Sequence, residues 1–192
     1  MRVGLYFGTF DPIHIGHLIV ANQVLEHTDL EKIWIVVSPQ NPFKDCNSIL
    51  LDSHRLKMAF IAVEKYENIS VSDVEFKLPR PSYTFDTLEY IKGIYPDLDF
   101  SLIMGGDSID TFHKWKNYKS ILDNHRIYVY PRTSEQKKSI EHPNIILLNF
   151  PIIQISATYI RNSIKQGKSI RPFLNERVLK YISINNLYNN CV

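Results

Sequence analysis

Short runs of apolar residues recur along the chain, and between them apolar positions fall three and four apart. That is the alternation of buried strands with amphipathic helices. Residues 2–7 form the first run, and a helix is predicted over about 16–28 with Leu18, Ala21 and Leu25 on one face. Ile33-Trp34-Ile35-Val36-Val37 is continuous and of strand length, and two strands joined by a helix in this way are expected to be parallel. A polar loop over 38–51, with Pro39 and Pro42, leads to a helix over about 52–66 whose Leu56, Ala59, Phe60 and Val63 are expected to face the core. Short strands are read at 69–71 and 74–76. Ser82 is read as the cap of a third helix, with Phe85, Leu88 and Ile91 as its buried stripe and its end before Pro96. Residues 100–104 make another inner strand that opens into Gly105-Gly106-Asp107-Ser108, and 127–130 and 145–148 are the remaining strands. A basic stretch around 135–139, read as mobile, lies between those two, and helices over about 156–166 and 175–188 close the chain. The series predicts a single α/β domain over 1–192, a Rossmann-like doubly wound parallel sheet. Its ligands should lie beyond the strand C-termini where the strand order reverses.

Composition narrows the class. Apolar residues at 44% and charged residues at 22% are ordinary globular values, and no stretch approaches the roughly 18 consecutive apolar residues of a membrane span. The chain opens directly into its first strand, so no secretory leader is expected. Cys46 and Cys191 form neither a disulfide framework nor a metal-ligand spacing, which suits a cytoplasmic location. The net charge of +2 hides an asymmetry, because from Arg132 onward 9 Lys+Arg stand against 3 Asp+Glu. Those cations are spread out rather than blocked, which argues for an anion pocket and solvated helix faces over a nucleic-acid tail.

The candidate chemistry begins at the end of the first strand. Gly8-Thr9-Phe10-Asp11-Pro12 makes a turn that runs into His14-Ile15-Gly16-His17 at the start of a helix. A strand, a glycine turn and a helix N-terminus aim backbone N–H groups at a bound phosphate, and two imidazoles three residues apart can meet the same anion. Gly16 is expected to keep a side chain out of the path of the approaching ligand.

With these residues in place, the chain resembles the nucleotidyltransferases that carry an HxGH motif, and within them the bacterial nicotinate-nucleotide adenylyltransferases. The resemblance runs the whole length. It rests on residues 8–17, on Pro81-Ser82-Tyr83-Thr84-Phe85-Asp86-Thr87-Leu88, on Gly105-Gly106-Asp107 with Trp115, and on Ile155-Ser156-Ala157-Thr158-Tyr159-Ile160-Arg161. It implies a nucleotidyltransferase-type Rossmann-like fold and adenylyl transfer from ATP, with Mg²⁺, to nicotinate mononucleotide, giving deamido-NAD and pyrophosphate. The implied catalytic residues are His14, His17, Lys44 and Arg161. The triphosphate and adenosine would be held by the turn Gly8, Thr9 and Phe10, by His14, Gly16 and His17, by Gly105 and Asp107, and by the second helix start at Ser156, Thr158 and Arg161. Asp11 and Lys44 would face the mononucleotide, the Tyr83 and Thr84 N–H groups its carboxylate, and Trp115 its ring. Asp107 would hold a ribose hydroxyl or help position the metal, and no metal-ligating set is implied on the protein itself. Two departures from the family pattern stand out, Phe43 where a histidine is common and Ala157 where a second serine is usual. Asp86, Arg55 and Arg132 read equally well as members of ion pairs.

Four alternatives are weaker. A phosphopantetheine adenylyltransferase has no use for Ser82-Tyr83-Thr84 or a stacking Trp115. A class I aminoacyl-tRNA synthetase would need Lys-Met-Ser-Lys-Ser and a tRNA-reading domain, and a dehydrogenase would need G-x-G-x-x-G after the first strand. A catalytically silent nucleotide sensor would not need the intact set His14, His17, Lys44 and Arg161.

Overall fold

The structure is a computed structural model, and it describes residues 1–39, 50–132 and 141–188. Lys44, Cys46, Cys191 and the basic stretch at 135–139 lie outside the described residues.

Six parallel strands form one sheet in the order β3-β2-β1-β4-β5-β6. They are β1 (Arg2–Gly8), β2 (Lys32–Val37), β3 (Ile69–Ser72), β4 (Asp99–Gly105), β5 (Ile127–Tyr130) and β6 (Ile145–Leu147). The chain builds outward from β1 to β3, then returns to place β4 on the other side of β1. The strand order therefore reverses between β1 and β4, and the doubly wound sheet read from the sequence is present. The helices are α1 (Ile15–His27), α2 (Asp52–Val63), α3 (Thr84–Ile94), α4 (Gly106–Ile109), α5 (Tyr118–Asn124), α6 (Ala157–Lys165) and α7 (Glu176–Ile184).

The continuous apolar runs follow from burial on both faces of the sheet. Along β2, Ile33, Ile35 and Val37 join the core shared with α1, α2, α6 and α7, while Val36 joins the core shared with α3, α4 and α5. β1, β4 and β5 repeat the alternation, with Tyr6, Ile103 and Tyr128 on the first side and Leu5, Leu102 and Val129 on the second. Each fully buried aliphatic chain contributes about 1.5–3 kcal/mol.

Three local expectations are corrected. Val74–Lys77 is a 3₁₀ helix rather than a strand, which turns both Val74 and Glu75 inward. The cap of α3 is Tyr83, not Ser82, because the helix begins at Thr84. On α2 the buried positions are Arg55, Met58, Ala59, Ala62 and Val63, whereas Phe60 is exposed. A buried arginine takes a place on the core face, which hydrophobic periodicity cannot detect.

Candidate active site

Two cavities open at the C-terminal ends of β1 and β4. The larger, about 550 Å³, runs between the β1–α1 turn and the start of α6, and Thr9, His14, His17, Asp107, Arg132 and Arg161 contribute to its wall. The smaller, about 140 Å³, lies over the start of α3 and is bordered by Tyr83, Thr84 and Trp115. Tyr6, Gly8, Ser108 and Tyr130 line both, so the cavities meet there. The hydroxyls of Tyr6 and Tyr130 are 3.1 Å apart at that junction, and burial, first of all, holds both phenols above their ordinary range.

The histidine pair is built by the helix start. His14 is the N-cap of α1 with extended backbone, and its N–H donates to His17 Nδ1 at 3.2 Å. That bond makes Nδ1 an acceptor and leaves the ring proton of a neutral His17 on Nε2. The rings stack at 3.6 Å with 20° between planes, and His17 also meets the edge of Phe10 at 4.9 Å. Phe10 is buried with φ of 46°, and its ring fills the space beside Gly8, where a Cβ would come within 2.8 Å of it. Gly16 has a reason other than ligand approach. A Cβ there would stand 3.0 Å from His14 Nδ1 and 3.1 Å from Ile153, so the glycine makes room for the histidine ring.

His14 is only 4% exposed, and its pKa is lowered from 6.5 to about 4 by desolvation, with the nearby Arg132 charge adding to it. The ring is therefore neutral at pH 7 in the ligand-free protein. As pH falls through 6.5 the unfolded chain takes up a proton that the folded chain refuses until about pH 4, so stability is lost across that window. Folding free energy from urea titrations should be about 2 kcal/mol lower at pH 5 than at pH 7 from this group. In His14→Gln that contribution should vanish; an unchanged pH slope would show that other groups cause it.

α6 supplies the opposite wall. Ser156 caps it by accepting the Tyr159 N–H, and Thr158 Oγ1 accepts from Arg161 Nη2 at 3.2 Å, so each hydroxyl keeps its own proton to donate. Arg161 reaches across to the Asp11 carbonyl at 2.7 Å and lies 3.9 Å from its carboxylate. Asp11, 3% exposed, accepts the Tyr188 hydroxyl at 2.8 Å, which ties the C-terminal segment to the turn. Asp107 is largely exposed at the end of β4, 3.7 Å from Arg132 Nε. A Cβ on Gly105 would collide with the Asp107 carboxylate at 2.5 Å and with Arg132.

Asp86, Arg132 and Arg55 have different places in the structure. Asp86 pairs with Lys116 at 2.7 Å, and Arg132 faces the larger cavity. Arg55 is fully buried, donates to the carbonyls of Thr9, Ser38, Pro39 and Leu50, and pairs with Asp52. It joins the phosphate turn to the end of β2. Sequence reasoning missed Glu75, Tyr188 and the Tyr6–Tyr130 pair. Among these, only Glu75 carried a signal, an acid between two apolar residues just before the Tyr83-Thr84 segment.

Trp115 is partly exposed, packs edge-on against Phe112 at 5.4 Å, and presents its remaining surface to the smaller cavity. Tyr83 lies beneath the Lys116 ammonium, 5.2 Å from the ring centre. The first N–H groups of α3 have no partner within the helix, as at any helix start. Among the described residues, no group of three or more His, Cys, Asp or Glu could hold a metal ion, and no helix is long and apolar enough to cross a membrane. The larger cavity sets the guanidinium groups of Arg132 and Arg161, the histidine pair and the hydroxyls of Ser156 and Thr158 beside the carboxylates of Asp11 and Asp107, and those donors suit phosphate oxygens.

Residues 5–163 match the cytidylyltransferase-like family. The chain is 54% identical over 191 residues to a protein of Flavobacterium johnsoniae named "Probable nicotinate-nucleotide adenylyltransferase", covering 98% of this chain and 99% of that one. A Bacteroides fragilis protein of the same name is 42% identical over 94% of this chain and 90% of its own. In three dimensions the chain superposes on the Plasmodium falciparum nicotinic acid mononucleotide adenylyltransferase complexed with NaAD. The TM-score is 0.81 at 21% identity, covering 98% of this chain and 97% of that one, a likeness of fold. The chain belongs to the cytidylyltransferase-like family and, within it, to the nicotinate-nucleotide adenylyltransferases.

Proposed function

We propose that the protein transfers the adenylyl group of ATP to nicotinate mononucleotide, releasing deamido-NAD and pyrophosphate in NAD biosynthesis. One observation carries the reading most. A phosphate-type cleft with the histidine pair and Arg161 meets a pocket bordered by Trp115 and the start of α3, so two nucleotides can join their phosphates at the junction.

A phosphate oxygen of the mononucleotide attacks the α-phosphorus of ATP, a new P–O bond forms, and the bond to the β-phosphate breaks with its electron pair leaving on pyrophosphate. A phosphate monoester with second pKa near 6 is mostly dianionic at pH 7, so no base need remove a proton. What the protein contributes is position and neutralisation of the charge that gathers on the equatorial and leaving oxygens. His17 Nε2–H, His14, and the hydroxyls of Ser156 and Thr158 are donors for those oxygens, and Arg161 and Arg132 supply positive charge beside them. Lys44 is assigned to the meeting phosphates by its place in the motif. Mg²⁺ would enter on the triphosphate and neutralise its charge there. ATP as substrate makes the cytoplasm the expected location.

Product identity tests the reading. ATP labelled at the α-phosphate, incubated with Mg²⁺ and nicotinate mononucleotide, should yield label in deamido-NAD with one pyrophosphate per turnover; label in AMP alone would remove the assignment.

Trp115→Ala should raise KM for the mononucleotide about tenfold or more and leave KM for ATP nearly unchanged, since stacking on an aromatic side chain contributes about 1–3 kcal/mol per ring. A variant that melts earlier with both KM values unchanged would make Trp115 a core residue only.

A further inference from the structure

Tyr6 of β1 and Tyr130 of β5 stand on the same face of the sheet with β4 between them, and their hydroxyls meet 3.1 Å apart. Both residues are buried and both line the two cavities, so the pair marks the place where those cavities join. Two hydroxyls in contact carry two protons, and their mutual bond uses one. No other hydrogen-bond partner is found for either hydroxyl among the described residues, so the second proton has no protein acceptor there. A buried donor of that kind calls for a ligand oxygen.

The surroundings say which oxygen. The Tyr6 ring is met edge-on by Phe10 at 5.7 Å and by His17 at 6.2 Å, which places the phenol pair directly behind the histidine of the phosphate cleft. The charges of Arg132 and Asp107, both on the wall of the larger cavity, are felt at both phenols. A phenol of ordinary pKa, about 10, is protonated at pH 7 without any help from its setting, so the pair offers an O–H and no charge. A group that passes from a nucleotide in one cavity to a nucleotide in the other must cross this junction.

Resting on the function proposed above, we infer that the Tyr6–Tyr130 pair is a further catalytic donor, its unused O–H binding a non-bridging oxygen of the α-phosphate as that phosphate is transferred. The bond between the hydroxyls aims the donor: whichever phenol donates to its neighbour leaves the neighbour's proton for the phosphate. An O–H bound to an ionised oxygen is a short, charge-assisted bond, and it strengthens as charge gathers on the equatorial oxygens.

The test compares the parent enzyme with Tyr6→Phe, Tyr130→Phe and the double variant. Each is given nicotinate mononucleotide, Mg²⁺, and ATP or either diastereomer of its α-thio analogue, in which sulfur replaces one non-bridging oxygen. Single-turnover rates at saturation, half-saturating concentrations and thermal melting are recorded together. The double variant should react about 10–100-fold more slowly with ATP, while half-saturation for both substrates moves less than about threefold. Each single variant loses the aiming bond but keeps one hydroxyl, so its loss should be smaller. Sulfur accepts hydrogen bonds poorly, so the parent should react more slowly with one diastereomer, and the ratio between diastereomers should fall several-fold in the double variant. A role in packing alone would leave that ratio where it was.

A double variant that melts earlier but keeps the parent rate overturns the inference, as does one that slows with the diastereomer ratio unchanged, or a parent without any such preference. If the double variant does not fold, the single variants decide, and parental rates and ratios in both overturn the pair. A parent enzyme that makes no deamido-NAD overturns the underlying function instead, and is told apart by its lack of any turnover.

Discussion

His17→Ala should lower kcat by roughly 10²–10³ while ATP still binds, because a donor that acts mainly on transition-state charge is felt in turnover rather than in ground-state affinity. The tautomer argues for the role. With Nδ1 accepting the His14 N–H, the ring offers Nε2–H as its donor, and the stacked His14 ring and the Phe10 edge hold its plane. Removing the ring also strips the His14 N–H of its partner, at a cost of about 1 kcal/mol, so melting is measured beside kinetics. His14→Ala should have a parallel effect. The double variant should lose less than the product of the single losses, because the rings share a contact and a phosphate. Raising the pH should rescue neither, since the nucleophile is already ionised. A His17→Ala enzyme with nearly parental kcat would falsify the catalytic role and leave the motif as a structural turn.

Arg55→Met should have the largest effect on stability, about 3–5 kcal/mol, because removing one partner of a buried ionic network strands the others. The side chain is wholly buried, and its loss leaves the Thr9 and Ser38 carbonyls, held at 2.6 and 2.8 Å, without that donor. At roughly 2–4 °C per kcal/mol for a chain of this size, the melting temperature should fall by about 10 °C or more. Because Thr9 belongs to the phosphate turn, KM for ATP should rise at temperatures where the variant is still folded. A loss below about 1 kcal/mol would mean that water replaces the arginine at those carbonyls.

What could be read from the sequence was local. The inner strands announce themselves because both faces are buried, and the phosphate turn and the helix start at Ser156 depend on neighbours within a few residues. What could not be read depends on distant partners or on polar groups inside. Tyr188 reaches Asp11 across 177 positions of sequence. Arg55 takes a core place that periodicity assigned to apolar neighbours, and the face of α2 shifts with it. Glu75 was placed on a strand between Val74 and Phe76, where alternation would send it outward; the 3₁₀ turn sends it in. Gly16 was assigned to ligand approach, and its space is taken instead by the His14 ring. The segment bearing Lys44 lies outside the described residues, and its role rests on the motif alone.

In the proposed function the cavity bordered by Trp115 and α3 selects the second substrate, while the histidine cleft handles ATP. The most direct measurement offers the enzyme nicotinate mononucleotide, nicotinamide mononucleotide and phosphopantetheine in parallel, with ATP and Mg²⁺, and compares kcat/KM from pyrophosphate release. Nicotinate mononucleotide should rank first, because the N–H donors at the start of α3 are left poorly paired by an amide and unused by a pantetheine chain. Equal or better turnover of the amide would contradict the proposed carboxylate site, and phosphopantetheine ranking first would contradict the assigned substrate altogether.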